Sequence, residues 1–424
     1  MEELARESIS LLASASAKPP LDVGPRLGSV GAIFIMLKSA LGAGLLNFPW
    51  AFERAGGIHS AVTVELVSLV FLISGLIILG YSSSISGQCT YQAVVKKICG
   101  HVIGQLCEIC FVFNLFMISV AFLVIVDDQL EKLGDSLHEL VTNLPESEMP
   151  ERFYMDRRFA LVLLCFFLIL PLSISKEISI QKYIRSGLYG ATAFLFLKKR
   201  IMILIYSEMN SWAAMFSVIP TICFGFQVSA ARVYSKMQNK LQLLVTVNVH
   251  TSPSVAGVYG FLTFGKDARP DILMSYTSSD VLMLIARLLF GISIITIYPI
   301  TLLLGRSVIQ DLLLSRRQRR IGVVTVDFES RSRYMLTLLW ITATLLIAVF
   351  VPDISKVISV IGGISAFFIF IFPGLCLMFA MQSEPVSCKT RVIFTVWGVV
   401  TLICGAFIFG QSTTIAVMQL LGKI

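Results

Sequence analysis

Two glycines and a lysine interrupt the first apolar stretch of the sequence, which runs from Val30 to Ala51. Gly42 and Gly44 flank Ala43 near its middle, and Lys38 precedes them by one helical turn. A glycine weakens a helix by about 1 kcal/mol relative to alanine, and a lysine at the centre of a bilayer costs about 2.5–3.5 kcal/mol on insertion scales. A helix that only anchors a protein would avoid both. This stretch is therefore predicted to take part in the protein's function.

A second glycine with large neighbours lies five apolar stretches later, in Phe224-Gly225-Phe226. That offset is expected when two inverted five-helix repeats each open with a broken helix. A broken helix exposes backbone donors and acceptors at mid-membrane, and a zwitterionic amino acid has a carboxylate and an ammonium to match them. Phe224 and Phe226 are predicted either to gate this site or to pack in the core. The predicted backbone contacts of the substrate are Gly42, Ala43, Gly44, Phe224 and Gly225.

Polar side chains inside other apolar stretches supply further candidates. Ser293 and Thr296 are three residues apart and share one helix face, so their hydroxyls could ligate Na⁺. A serine or threonine also bonds the carbonyl one turn back, which is the stronger alternative for each residue alone. Asn114, in the middle of the third stretch, is a candidate substrate contact. Lys38 is predicted either to snorkel or pair with Glu65, or to take part in ion coupling.

An arginine in the eighth predicted span is a further candidate. Arg287 is near the outer end of the eighth span, and Asp271 and Asp280 occupy the loop before it. A charge at this depth needs polar partners. We predict that Arg287 caps this loop.

The chain is apolar enough to require a membrane as its solvent. Hydrophobic residues make up 56% of its 424 residues and charged residues 14%, and the mean hydropathy is +0.83, which exceeds what a soluble core can bury. We predict an all-α integral membrane protein with about 11 transmembrane helices in an inverted 5+5, LeuT-like repeat plus one extra C-terminal helix. The repeats cover about 29–206 and 211–381, the extra helix covers about 392–417, and residues 1–28 form a disordered cytoplasmic tail. The predicted spans are Val30–Ala51, Ala61–Ser82, Val102–Val126, Phe159–Ile174, Ser186–Tyr206, Ser211–Ala231, Leu241–Phe264, Val281–Leu304, Tyr334–Val351, Val357–Met381 and Val392–Val417.

The distribution of charge sets the predicted orientation. The positive-inside rule places the N-terminus in the cytoplasm and the C-terminus outside. An acidic extracellular loop is predicted over 127–157, and a basic cluster from Arg306 to Arg333 is interpreted as a solvated or lipid-facing cytoplasmic loop. The net charge of +8 is thus a topology signal rather than a nucleic-acid site. None of the nine cysteines lies in the acidic loop, so no disulfide framework is predicted.

Longer motifs extend this pattern along nearly the whole chain. They are Gly42-Ala43-Gly44-Leu45-Leu46-Asn47-Phe48-Pro49, Thr90-Tyr91-Gln92, Gly257-Val258-Tyr259-Gly260-Phe261-Leu262-Thr263-Phe264-Gly265, Gly362-Gly363-Ile364-Ser365, Phe372-Pro373-Gly374 and Phe409-Gly410-Gln411-Ser412-Thr413. Together they resemble the sodium-coupled neutral amino acid transporters, solute carrier family 38. The resemblance implies the inverted-repeat fold of the amino acid, polyamine and organocation superfamily. It also implies uptake of neutral amino acids such as glutamine and alanine, driven by Na⁺ and sometimes opposed by H⁺.

The chain departs from that family pattern at three places. Many members have an asparagine that helps to hold Na⁺ where this chain has Lys38, so a proton-coupled or uncoupled carrier is an alternative. Gln227 is followed by Val228-Ser229-Ala230 instead of a Cys-His pair. The regions of about 190–210 and 228–255 match the family's fifth and seventh helices poorly, which suggests an alternative exon or a faulty gene prediction.

The sequence therefore predicts a secondary active transporter, not an enzyme, located in the plasma membrane. A bundle of spans one, two, six and seven is expected to rock against spans three, four, eight and nine. Its predicted partners are a neutral amino acid, Na⁺, H⁺ in some modes, and membrane lipid. Na⁺ is the predicted coupling ion, with Ser293 and Thr296 as its ligands, and no cofactor is predicted. An alternative of another class is an amino acid sensor that signals through a partner.

Overall fold

The computed structural model describes residues 43–88, 90–142, 157–174, 257–276, 281–321, 326–351 and 353–421, apart from 384 and 386. Every regular element in these ranges is a helix. The predicted tail, the predicted fifth and sixth spans and most of the seventh lie outside them. The predicted count of 11 spans and the inverted repeat therefore stay predictions.

Glycines set the boundaries of the first two helices. Helix α1 (Ala43–Arg54) is followed by Gly56 and Gly57, whose φ values of 86° and 113° disfavour any other residue. Helix α2 (Ile58–Ser86) ends at Gly87, a left-handed cap with φ of 63°.

A short and a very long helix come next. Helix α3 covers Tyr91–Cys99, and α4 covers His101–Thr142. The 42 residues of α4 span about 63 Å at 1.5 Å per residue, which is far more than a bilayer's hydrocarbon core. The predicted extracellular loop of 127–157 therefore begins as a helix, because α4 continues beyond the apolar stretch to Thr142; its position outside the membrane stays a prediction. The ion pair between Lys132 and Asp135, three residues apart, is of the kind that stabilises such a polar helical extension.

Two spans contain a π-helical segment shortly before a proline. Helix α5 (Arg157–Leu164) passes through a π segment into α6 (Leu170–Ile174), which contains Pro171. Helix α10 (Ile354–Ala366) passes through another π segment into α11 (Phe372–Ser383), which contains Pro373. A proline lacks the N–H of a helical turn and its ring collides with the preceding turn. A wider π turn just before the ring relieves this collision.

Helix α7 (257–264) leads into two short 3₁₀ turns, Gly265–Asp267 and Ile272–Ser275. Helix α8 then covers Val281–Ile321, α9 covers Val326–Phe350 and α12 covers Cys388–Leu420.

The interpretation of the basic cluster as a loop was wrong for most of its length. Helix α8 continues to Ile321 and α9 starts at Val326, and Arg306 is buried within α8. The Nη1 atom of Arg306 donates to the Ser173 carbonyl at 3.2 Å and to Thr337 Oγ1 at 2.6 Å. The arginine is accommodated inside the protein because polar groups of α6 and α9 meet it there.

The largest core lies among α4, α8, α9 and α10. Two buried hydrogen bonds fix this packing: Trp340 Nε1 donates to Ser119 Oγ at 3.2 Å, and the hydroxyls of Tyr298 and Thr344 lie 2.7 Å apart. A second core joins α2 and α3 to α10 and α11. These contacts make α4, α8 and α9 one packed unit.

Six helices of the described part are long and apolar enough to cross a membrane: α2, α4, α8, α9, α10 together with α11, and α12. The α5–α6 segment is apolar but shorter. Helix α12 presents most of its surface outward, including Ile393 and Ile403, as expected of a peripheral helix facing lipid.

Candidate functional site

Helices α1 and α7 approach each other closely through two glycines. A Cβ atom on Gly260 would lie 2.4 Å from Pro49 Cγ. On Gly257 it would lie 3.0 Å from Phe52 Cε2 and 3.1 Å from Phe48 Cβ. Ordinary carbon contacts are about 3.5–4.0 Å. Helix α1 is therefore fitted against α7 with no room for larger residues at Gly260.

A buried turn connects these helices to α4. Asn47 on α1 is fully buried, and its Nδ2 donates to the Pro270 carbonyl at 3.0 Å. Asp271 caps the second 3₁₀ turn, since its Oδ1 accepts from the Leu273 N–H at 2.9 Å. Its Oδ2 lies 2.6 Å from Nε2 of Gln129 on α4, which donates to it. One turn thus contacts two helices that are far apart in sequence.

Arg287 on α8 contacts the same turn. Its side chain is fully buried, and Nη2 donates to the carbonyls of Leu273 and Tyr276 at 3.0 and 2.9 Å. The prediction that Arg287 caps the loop containing Asp271 is confirmed, although Asp280 lies outside the described residues. We call Asn47, Gln129, Asp271 and Arg287 the Asp271 cluster.

Burial dominates the electrostatics of this cluster. Asp271 is 2% exposed, and desolvation raises the pKa of its carboxyl group to about 7. The Leu273 N–H, the Gln129 amide and the Arg287 charge oppose this rise without cancelling it. Asp271 lies outside the candidate spans, in the segment between α7 and α8.

The sequence indicated part of this cluster. Pro270-Asp271 before an apolar pair matches the preference for aspartate at a helix start, and Arg287 was recognisable as a charge within a span. Gln129 was missed because it stands among acidic residues, and nothing local pairs it with a residue 142 positions away.

Asn114, predicted as a substrate contact, lies on α4. It is 3% exposed, and its Oδ1 has no hydrogen-bond partner within the described ranges. A buried acceptor without a partner costs about 1–3 kcal/mol. Among the described residues, the Oδ1 atom of Asn114 is thus a buried acceptor that a donor group of a ligand would satisfy.

Ser293 and Thr296, the predicted Na⁺ ligands, lie on α8, which packs extensively against α4. Thr296 Oγ1 donates to the Ser293 carbonyl at 2.7 Å, which is the local bond expected of a threonine in a helix. A hydroxyl oxygen that donates one hydrogen bond retains its lone pairs. Their role in binding Na⁺ stays a prediction.

The remaining predicted site residues are described in part or not at all. Ala43 and Gly44 belong to the first turn of α1. Glu65, the predicted partner of Lys38, is buried on α2. The predicted residues outside the described ranges are Lys38, Gly42, Phe224 and Gly225. The two halves of the predicted substrate site therefore stay a prediction.

Comparison with known proteins gives a consistent result over the full length. A family model described as "Transmembrane amino acid transporter protein" matches residues 26–418. The "Putative sodium-coupled neutral amino acid transporter 8" of Xenopus tropicalis is 56% identical, with 100% of both chains covered. The "Solute carrier family 38 member 8" of Homo sapiens is 48% identical, with 95% and 96% covered. The "Sodium-coupled neutral amino acid transporter 7" of Danio rerio is 40% identical, with 95% and 91% covered.

Proposed function

Because this chain belongs to the family of transmembrane amino acid transporter proteins, we propose that it carries neutral amino acids such as glutamine and alanine, driven by Na⁺. The observation that carries the proposal is the sequence similarity between this chain and its relatives over nearly their whole length. Two of these relatives are named sodium-coupled neutral amino acid transporters. The resemblance to solute carrier family 38 is confirmed by the same relatives. The chain is an integral membrane protein of several spanning helices. We propose that it acts in the plasma membrane, with its N-terminus in the cytoplasm.

Alternating access is the mechanism that we propose. The packing supports two bodies, because α1 is fitted closely against α7 while α8 is hydrogen-bonded to α9 and, through Arg306, to α6. Helices α1 and α7 belong to spans one and seven of the predicted rocking bundle. Helices α6, α8 and α9 belong to spans four, eight and nine, and we call spans three, four, eight and nine the scaffold. A neutral amino acid would bind between them, at the backbone of the first and sixth spans. An inverted 5+5 repeat would supply two broken helices, and these would hold the ammonium and the carboxylate of the substrate.

Asn114 is the side chain that we propose contacts this substrate. A donor such as the substrate's ammonium would satisfy Oδ1, the buried acceptor that the described residues leave without a partner. Hydrogen bonds to charged groups contribute about 1.5–3 kcal/mol. At 1.4 kcal/mol per factor of ten, Asn114→Leu should raise the KM for glutamine by about 10- to 100-fold.

The test is radiolabelled glutamine uptake at a series of concentrations, normalised to the amount of protein in the membrane. Ser412→Ala is the matched control, because Ser412 is also buried on a spanning helix with no hydrogen-bond partner for Oγ within the described ranges, but lies on peripheral α12. We expect this control to keep the wild-type KM. An unchanged KM in Asn114→Leu would remove Asn114 from the substrate site.

Na⁺ coupling through Ser293 and Thr296 belongs to the same proposal. A carrier coupled to H⁺ or uncoupled is the second candidate, and the observation that favours it is Lys38 at the family's usual asparagine position. Replacement of NaCl by choline chloride separates them, because uptake by a Na⁺-driven carrier falls to background whereas uptake by the other carriers continues.

A further inference from the structure

Helix α3 and the tenth span, which α10 and α11 form, touch at two places. The Tyr91 hydroxyl donates to the Phe368 carbonyl at 3.1 Å. The sulfur atoms of Cys99 and Cys376 lie 3.6 Å apart. Both contacts join residues 277 positions apart, so the two helices run in the same direction and keep one register over about two turns. We call these four residues the α3 junction.

The hydroxyl contact compensates for the irregular hydrogen bonding of the π segment between α10 and α11. The Phe372 N–H donates to the Phe367 carbonyl, and Pro373 has no N–H. Neither of the usual helical donors is therefore available to the Phe368 carbonyl, and the Tyr91 hydroxyl takes their place. Helices bend at π turns and at prolines. Tyr91 thus joins α3 to the point at which the tenth span can bend.

The α3 junction lies between an element packed on the scaffold and one packed on the rocking bundle. Helix α3 packs against α4 of the scaffold, where a Cβ on Gly104 would lie 2.6 Å from Lys96 Cβ. The π segment meets α2 of the bundle, where a Cβ on Gly75 would lie 2.9 Å from the Ile369 carbonyl oxygen. A covalent bond between α3 and α11 would therefore hinder movement of the bundle past the scaffold.

The two thiols of the α3 junction are placed to form such a bond. Cys99 ends α3 and is 9% exposed, whereas Cys376 on α11 is fully buried. Their sulfur atoms are 3.6 Å apart, and a disulfide needs about 2.05 Å. Rotation of the two side chains about their Cα–Cβ bonds can close this difference. The predicted orientation places the pair on the cytoplasmic side, where thiols stay reduced until an oxidant reaches them.

We propose that Cys99 and Cys376 form a reversible disulfide when they meet a peroxide, and that this bond blocks transport; the second part rests on the proposed transport function. The partly exposed Cys99 sulfur attacks an oxygen of hydrogen peroxide, which forms a sulfenic acid and releases one water. The Cys376 sulfur then attacks the sulfenic sulfur, which forms the S–S bond and releases a second water. The two thiols lose two electrons and two protons, and the peroxide is reduced to two waters. A dithiol reductant reverses the change and is itself oxidised to a disulfide.

Peptide mapping by mass spectrometry tests the bond without any need for transport. After treatment of the purified protein with hydrogen peroxide, we expect a linked pair of peptides that contain Cys99 and Cys376, and dithiothreitol should separate them. Cys107→Ala is the matched control, because it removes another free thiol from the same buried core. It should keep the bond, whereas Cys99→Ala should lose it. Absence of the linked pair in wild type, or a disulfide from Cys107 to either sulfur, would overturn the assignment.

Glutamine uptake after the same treatment tests the effect on transport. The fraction of wild-type uptake that is lost should equal the fraction of protein that carries the disulfide, and dithiothreitol should restore it. Cys99→Ala and Cys376→Ala should keep their uptake after treatment, whereas Cys107→Ala should respond like wild type. Loss of uptake in Cys99→Ala, or full uptake by the linked wild type, would overturn the block. If the disulfide forms but no variant transports any neutral amino acid even before treatment, the thiol pair is supported and the proposed transport function is contradicted.

Discussion

Substitution of Gly260 by alanine should loosen the first helix from the seventh. The added methyl carbon would lie 2.4 Å from Pro49 Cγ and 2.8 Å from Pro49 Cβ, so the helices must separate by about 1 Å to reach an ordinary contact. The Pro49 ring is closed onto the α1 backbone, so it cannot rotate away from the added methyl group as an open side chain could. Overpacking of this kind costs about 1–3 kcal/mol, of which alanine's better helix propensity returns up to about 1 kcal/mol.

Thermal unfolding and initial glutamine uptake measure the two consequences. The free energy of unfolding should fall by about 1–2 kcal/mol, which lowers the melting temperature by a few degrees. Uptake should fall as well, because α1 carries Ala43 and Gly44 of the proposed substrate site. Gly291→Ala on α8 is the matched control, since a Cβ there meets nothing within 4 Å. It should melt at or above the wild-type temperature and transport normally. If Gly260→Ala behaves like Gly291→Ala, the close approach of α1 and α7 is refuted.

Two further substitutions test the scaffold. Gly305→Ala places a Cβ close to Cη2 of Trp340. This methyl group should displace the indole from Ser119 and lower the melting temperature. A wild-type melting curve would contradict this packing. Arg306→Met removes the hydrogen bonds to Ser173 and Thr337 and should lower the free energy of unfolding by about 1.5–3 kcal/mol. Arg331→Met, at an exposed position, should melt like wild type. Equal melting temperatures of the two variants would refute the structural role of Arg306.

The sequence predicted the spans well where a helix ends at the membrane boundary. Helix α2 exceeds its predicted range by only a few residues at each end, because Gly57 and Gly87 stop it close to the apolar stretch. Helices α4 and α8 exceed their predicted ranges by many residues. Hydropathy locates the apolar residues that cross the bilayer, whereas a helix ends where its backbone hydrogen bonds end. A hydropathy pattern therefore does not predict polar helical extensions such as the one that carries Gln129.

The site was predictable where a single residue is out of place in its surroundings. Arg287 and Asn114 stand out as polar groups within apolar stretches, and the structure finds both buried. The contacts of Asn47 with Pro270 and of Gln129 with Asp271 join residues 223 and 142 positions apart. Such pairs follow from the packing of helices, which one sequence does not specify locally.

Sodium-driven amino acid uptake by the purified protein tests the central claim most directly. Radiolabelled glutamine would be added to proteoliposomes with an inward NaCl gradient and to matched ones with choline chloride. We predict accumulation above the external concentration with NaCl and only background with choline chloride, and an altered ion dependence in Lys38→Asn. Equal uptake in the two salts would contradict sodium coupling, and no uptake of glutamine or alanine in either would contradict the proposed function.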